Sequence, residues 1–258
     1  MSMELAYQVV GEGPPLVILH GLLGSARNFA TIARQLAETH RVLCLDLRNH
    51  GESPWAATMA YEEMALDVAR FLERHELADA TVIGHSMGGK VAMRLALAHG
   101  DRVARLIAVD IAPVAYEHSF ADYLEAMQRV DLTRTTRRAE VDAQLAEPIP
   151  DQGVRAFLLQ NLVRTEAGFA WRVNLEALSA NMSALMGFPI ADQEPPYEGP
   201  ALFVAGGRSP YVQAAHRPVI ERLFPRAELV TIDDAGHWVH AERPAEFLEV
   251  VRRFLGQC

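Results

Sequence analysis

The 258-residue chain is 50% hydrophobic and 22% charged, the balance of a globular protein with a sizeable core. Its formal net charge of −9 leaves no basic surplus to neutralise phosphates, which argues against a nucleic-acid partner. Two cysteines, Cys44 in an apolar run and Cys258 at the terminus, suggest neither a disulfide framework nor a zinc spacing, and no apolar run approaches the roughly 18 residues of a membrane span.

Residues 1–10 lack the basic-then-apolar order of a signal peptide, so a cytoplasmic protein is expected. In chain order, 16–20, 41–47, 81–84 and 106–110 are predicted buried strands. Between them, 25–39, 59–75 and 87–99 carry apolar residues at helical spacing. That alternation implies a mostly parallel sheet with helices on both faces. It stops between about 112 and 200, where helices are predicted near 120–130, 135–145, 153–162 and 175–186 and no strand is. The Pro-rich 194–200 segment precedes two more strands, 201–205 and 228–232, and a last helix from about 244 to 255. The expected organisation is a core of 1–111 and 201–258 with an all-helical cap, 112–200, inserted between two strands.

Gly84-His85-Ser86-Met87-Gly88 fits G-x-S-x-G between a predicted strand and a predicted helix. A serine there sits on a tight turn with its hydroxyl raised above the sheet edge, and the flanking glycines avoid collisions within the turn. Ser86 is the candidate nucleophile; the bland alternative is a glycine-rich turn with a bystander serine. A serine hydroxyl needs a proton acceptor within hydrogen-bond reach. His237, just after the final strand, is the candidate base, with His240 the rival and His85 read as a packing residue.

The acid that orients the imidazole is less obvious. The segment after strand 201–205 reads Gly206-Gly207-Arg208-Ser209, with Ser209 where an aspartate would usually be sought. Asp110, ending the strand beside the nucleophile strand, is the preferred acid; Asp233 and Asp234 are the alternatives, and a helix cap is its structural alternative. The oxyanion donors are expected to be the backbone N–H groups of Met87 and of Leu22, the latter in a loop braced by His20.

Together with Asp46-Leu47-Arg48-Asn49-His50-Gly51-Glu52-Ser53 and Asp110-Ile111-Ala112-Pro113, these motifs make the chain resemble the α/β-hydrolase superfamily over nearly its whole length. More narrowly it resembles the small capped bacterial esterases of the YbfF type. The resemblance implies the α/β-hydrolase fold and carboxylester hydrolysis by Ser-His-Asp, with the acid after the strand carrying Asp110. It disfavours epoxide hydrolase or dehalogenase chemistry, where the nucleophile is an aspartate. No nicotinamide fingerprint, phosphate loop, other cofactor motif or metal set is present in the sequence.

The expected substrate is a small-molecule acyl ester or thioester, with Tyr123, Phe157, Trp171 and Trp238 as candidate contacts and Asn161 and Asn174 as polar ones. Arg134, Arg137 and Arg138 form either a site for an anionic substrate portion or, the preferred reading, a solvated face paired with Glu140 and Asp142. Carbon–carbon bond hydrolysis or a perhydrolase reaction on the same triad is the competing enzyme reading. A non-catalytic ligand receptor is the alternative from another class. Oligomeric state is not encoded legibly.

Overall fold

The computed structural model describes residues 3–256 except 118, 167 and 192, so Cys258 lies outside the described residues. A seven-stranded sheet runs through the molecule. Its strands are β1 (Tyr7–Val10), β2 (Pro15–Leu19), β3 (Arg41–Leu45), β4 (Ala80–His85), β5 (Val103–Val109), β8 (Ala201–Gly206) and β9 (Ala227–Ile232). The spatial order is β1-β3-β2-β4-β5-β8-β9, parallel except for β1, which pairs antiparallel with β3.

Strand periodicity explains why both faces are covered. In β2, Leu16 and Ile18 join one hydrophobic cluster while Val17 and Leu19 join the other, so successive side chains point to opposite faces. Strands buried on both faces read as continuous apolar runs. Helix α1 (Ala30–Leu36) packs on one side through Ile32 and Leu36, and α11 (Pro244–Phe254) through Phe247 and Val251. On the other side lie α2 (Tyr61–Arg74), with Met64, Val68 and Leu72, and α3 (Met87–Ala98), with Val91 and Leu95. Helix α9 (Arg217–Leu223) joins β8 to β9, and the short α10 (Val239–Glu242) precedes α11.

The segment between β5 and β8 is not all-helical. It holds α4 (Ala121–Arg129), α5 (Arg138–Leu145), α6 (Gln152–Leu158), α7 (Leu175–Ala180) and α8 (Met182–Met186). It also holds an antiparallel hairpin, β6 (Leu162–Thr165) with β7 (Gly168–Trp171), in the register Leu162 to Trp171. The helix predicted to reach 162 ends at Leu158, followed by a 3-10 turn, Leu159–Asn161. Four-residue strands are too short to show a period of two, and Gly168 at φ +125° turns the hairpin where other residues would be strained. Asn181 divides the predicted 175–186 helix in two.

The loops after β2, β3, β4, β5, β8 and β9 all rise from the carboxyl edge of the parallel sheet, where open α/β sheets build their sites. Four of the six positive-φ non-glycine residues among those described lie there, Glu76 and Asp79 preceding β4. Leu23, Asn49, Ser86 and Asp110 take positive φ as non-glycine residues, at 60°, 66°, 52° and 49°. Such conformations cost about 1–3 kcal/mol each and persist only where surroundings enforce them.

Candidate active site

Ser86 stands between β4 and α3 at φ 52° and ψ −118°, its N–H bonded to the Val109 carbonyl at 3.0 Å. The turn tolerates no side chain at its glycines. A Cβ on Gly84 would lie 2.1 Å from the Gly88 carbonyl oxygen, and one on Gly88 would lie 2.4 Å from the Leu19 oxygen. The motif's spacing is therefore a steric requirement of this backbone crossing.

Asp110, fully buried, follows β5. Its Oδ2 accepts a hydrogen bond from His237 Nδ1 at 2.7 Å, and its Oδ1 accepts the Gly206 N–H at 2.9 Å. Ser209 Oγ donates to the same Oδ2. A carboxylate only accepts, so Nδ1 of His237 carries the hydrogen, and in the neutral ring Nε2 then holds the lone pair. Asp233 and Asp234 take no part in this set, and Asp234 pairs with Arg243 at 3.6 Å.

The loop carrying His237 is held from four sides. Glu242 accepts the N–H groups of Gly236 at 2.8 Å and Trp238 at 3.3 Å. His85 Nε2 donates to the His237 carbonyl at 2.9 Å, so His85 does more than pack. Tyr211 stacks on the His237 ring, centroids 4.1 Å apart, and the Asp110 bond completes the cradle. His240, the rival base, is buried and stacked on Phe29 at 4.1 Å. Burial pushes its imidazolium down to about 3, and burial also holds His85 well below the usual histidine range. Glu242 and Tyr211 escaped the sequence reading because their roles arise from contacts between loops, which no local motif encodes.

The expected oxyanion loop is braced by two histidines. His20 Nε2 accepts the Leu47 N–H at 3.0 Å while its Nδ1 donates to the Gly21 carbonyl at 2.8 Å. His50 Nε2 accepts the Leu23 N–H at 3.1 Å. Asp46 accepts the N–H groups of Ala26 and Glu52 at 2.7 and 2.9 Å, so the 46–53 motif locks the 20–26 loop in place. Met87 opens α3, so its N–H is one of those a helix N-terminus leaves without an intrahelical partner.

A cavity of about 440 Å³ opens onto Ser86 and His237, lined also by Leu22, Phe157 and Trp238. That is within the range of small-molecule sites, about 300–1,000 Å³. Tyr123 and Trp171 do not line it. Tyr123 packs beside Phe120 and Trp171 donates its indole N–H to the Met127 carbonyl at 3.0 Å, so both bind the insertion together. Asn161 donates to the Leu23 carbonyl at 2.8 Å and Asn174 to Asn49 Oδ1 at 3.0 Å; both tie the insertion to the core rather than facing the crevice. Arg137 pairs with Glu140 at 2.8 Å, whereas Asp142 pairs with Arg155, not with the arginine cluster.

A second, smaller cavity of about 20 Å³ adjoins Ser86 on the side of Met87, Tyr116 and Lys90. Lys90, one turn along α3 from Ser86, is buried, and its ammonium donates to the carbonyls of Met186 at 3.0 Å and Gly187 at 2.6 Å. Burial pulls this ammonium down to about 7, while the carbonyls and the Tyr116 ring, 4.7 Å from Nζ, favour its charged form.

Among the described residues no group of three or more His, Cys, Asp or Glu side chains is placed to hold a metal ion. No helix among them is long and apolar enough to cross a membrane.

A family model described as the alpha/beta hydrolase fold matches residues 14–244, and the chain belongs to that family. The sn-1-specific diacylglycerol lipase ABHD11 of Xenopus laevis is 45% identical, over 94% of this chain and 80% of its own length. Esterase YbfF of Escherichia coli is 38% identical, over 93% of this chain and 92% of its own. A solved marine microorganism esterase, 40% identical, superposes with a TM-score of 0.95, covering 98% of this chain and all of its own.

Proposed function

We propose that this chain is a serine hydrolase that cleaves small-molecule carboxylic esters or thioesters through an acyl-enzyme, with Ser86 as nucleophile, His237 as base and Asp110 as the acid that orients it. Its relatives support the coarser statement, an ester-hydrolysing enzyme. The observation that carries the finer one is the His237 Nδ1–Asp110 bond of 2.7 Å beside a serine on a strained strand-to-helix turn.

Ser86 Oγ attacks the carbonyl carbon while His237 Nε2 takes its proton. The carbonyl π electrons move to oxygen, where the N–H groups of Met87 and Leu22 receive the charge. Collapse expels the alkoxide or thiolate, which takes the proton from Nε2. Water then repeats the sequence on the acyl-enzyme, and the carboxylic acid leaves. Phe157 and Trp238 line the substrate cavity, and the 112–200 insertion acts as a cap over Ser86. The test is turnover of 4-nitrophenyl esters by the wild type and Ser86→Ala. Hydrolysis with a burst is expected in the wild type and none above background in the variant. Equal turnover by the two would refute it.

A further inference from the structure

Resting on that reading, we infer that the two cavities meeting at Ser86 divide the substrate, a short acyl group of about two to four carbons entering the small one and a bulky alcohol the large one.

The direction follows from proton transfer. The leaving oxygen must take its proton from His237, so the leaving group lies on the side His237 lines. His237 and Trp238 line the cavity of about 440 Å³. The cavity of about 20 Å³ is lined by Ser86, Leu22 and Met87, the attacking atom's residue and both oxyanion donors, and not by His237. An acyl chain pointing away from the leaving group has that space to enter.

The length limit follows from volume and from how the walls are tied. About 20 Å³ is room for one or two methyl-sized groups. Three of the wall residues are fixed by their polar ends. Tyr61 donates its hydroxyl hydrogen to the Leu185 carbonyl at 2.7 Å, and Tyr116 donates to the Tyr211 carbonyl at 2.7 Å. Lys90 is engaged with the carbonyls of Met186 and Gly187. Swinging any of these aside to admit a longer chain would leave a buried polar group without its partner. Ile111 and Met186 are two apolar wall residues whose side-chain truncation leaves those bonds in place.

The experiment is a two-way series on the whole chain, 4-nitrophenyl esters from acetate to decanoate and acetates of alcohols from methyl to naphthyl. Expected are the highest kcat/KM at acetate to butanoate, a fall of roughly tenfold or more by octanoate, and little loss with alcohol size. Met186→Ala and, independently, Ile111→Ala should move the acyl optimum to longer chains. A wild-type optimum at octanoate or beyond, sharp discrimination against large alcohols, or an optimum unmoved in both variants would overturn the assignment while leaving the serine-hydrolase reading intact. No hydrolysis anywhere in the series, with Ser86 also unreactive to a fluorophosphonate, would sink both.

Discussion

Ser209 donates its hydroxyl hydrogen to the carboxylate of Asp110, from the segment after β8 to the end of β5. The position where many α/β-hydrolases carry their acid here carries a hydroxyl, and under the proposed triad it serves an acid from the neighbouring strand. Both segments therefore reach one point, and His237 Nδ1 sits 2.7 Å from it.

In the proposed triad Ser209 is a positioning residue. Ser209→Ala removes one donor to a buried carboxylate, and hydrogen bonds to charged groups are worth about 1.5–3 kcal/mol. A kcat loss of roughly tenfold is expected. In an Asp110→Asn background, Ser209→Asp should restore part of the lost rate.

Gly88 lets the nucleophile turn cross the end of β2. The Cβ of Gly88→Ala would lie 2.4 Å from the Leu19 oxygen and 2.5 Å from the His20 oxygen, both backbone atoms that cannot rotate away. A destabilisation on the order of 3 kcal/mol is expected, read as a lowered denaturant midpoint. An unchanged midpoint would mean that the turn is not so close to β2.

Acid should unfold the protein steeply. Burial lowers His20 from 6.5 to about 4, lowers His50 and His240 to about 3, and holds His85 well below 6.5. Their folded values lie below the unfolded one, so the unfolded chain binds protons that the folded chain refuses. Stability is then full above pH 6.5 and is lost as pH falls towards 4. For His20 alone the difference corresponds to ~3 kcal/mol. Urea midpoints measured across that window should fall with pH, and a flat profile would contradict the burial of these rings.

What the sequence made legible follows from burial and from chain order. The strands β2, β4, β5 and β8 are covered on both faces and write continuous apolar runs. Strand β1 is exposed at all four positions and held by backbone pairing to β3, so its side chains carry no burial pattern to read. At the site, Ser86, Asp110 and His237 each follow a strand and could be selected by topology. Tyr211 and Glu242 act through contacts that exist only once the loops are assembled. Aromatic character alone did not separate Phe157 and Trp238, which line the cavity, from Tyr123 and Trp171, which hold the insertion together.

The most direct measurement is fluorophosphonate labelling of the pure protein, with the modified residue identified by mass spectrometry and Asp110→Asn and Asp234→Asn run beside it. Expected from the proposed triad are rapid labelling of Ser86, little change in Asp234→Asn, and a slowing in Asp110→Asn of up to about 10⁴-fold, because an amide partner leaves the imidazole in the wrong tautomer. Folded protein that resists labelling, or labelling abolished in Asp234→Asn but untouched in Asp110→Asn, would contradict it.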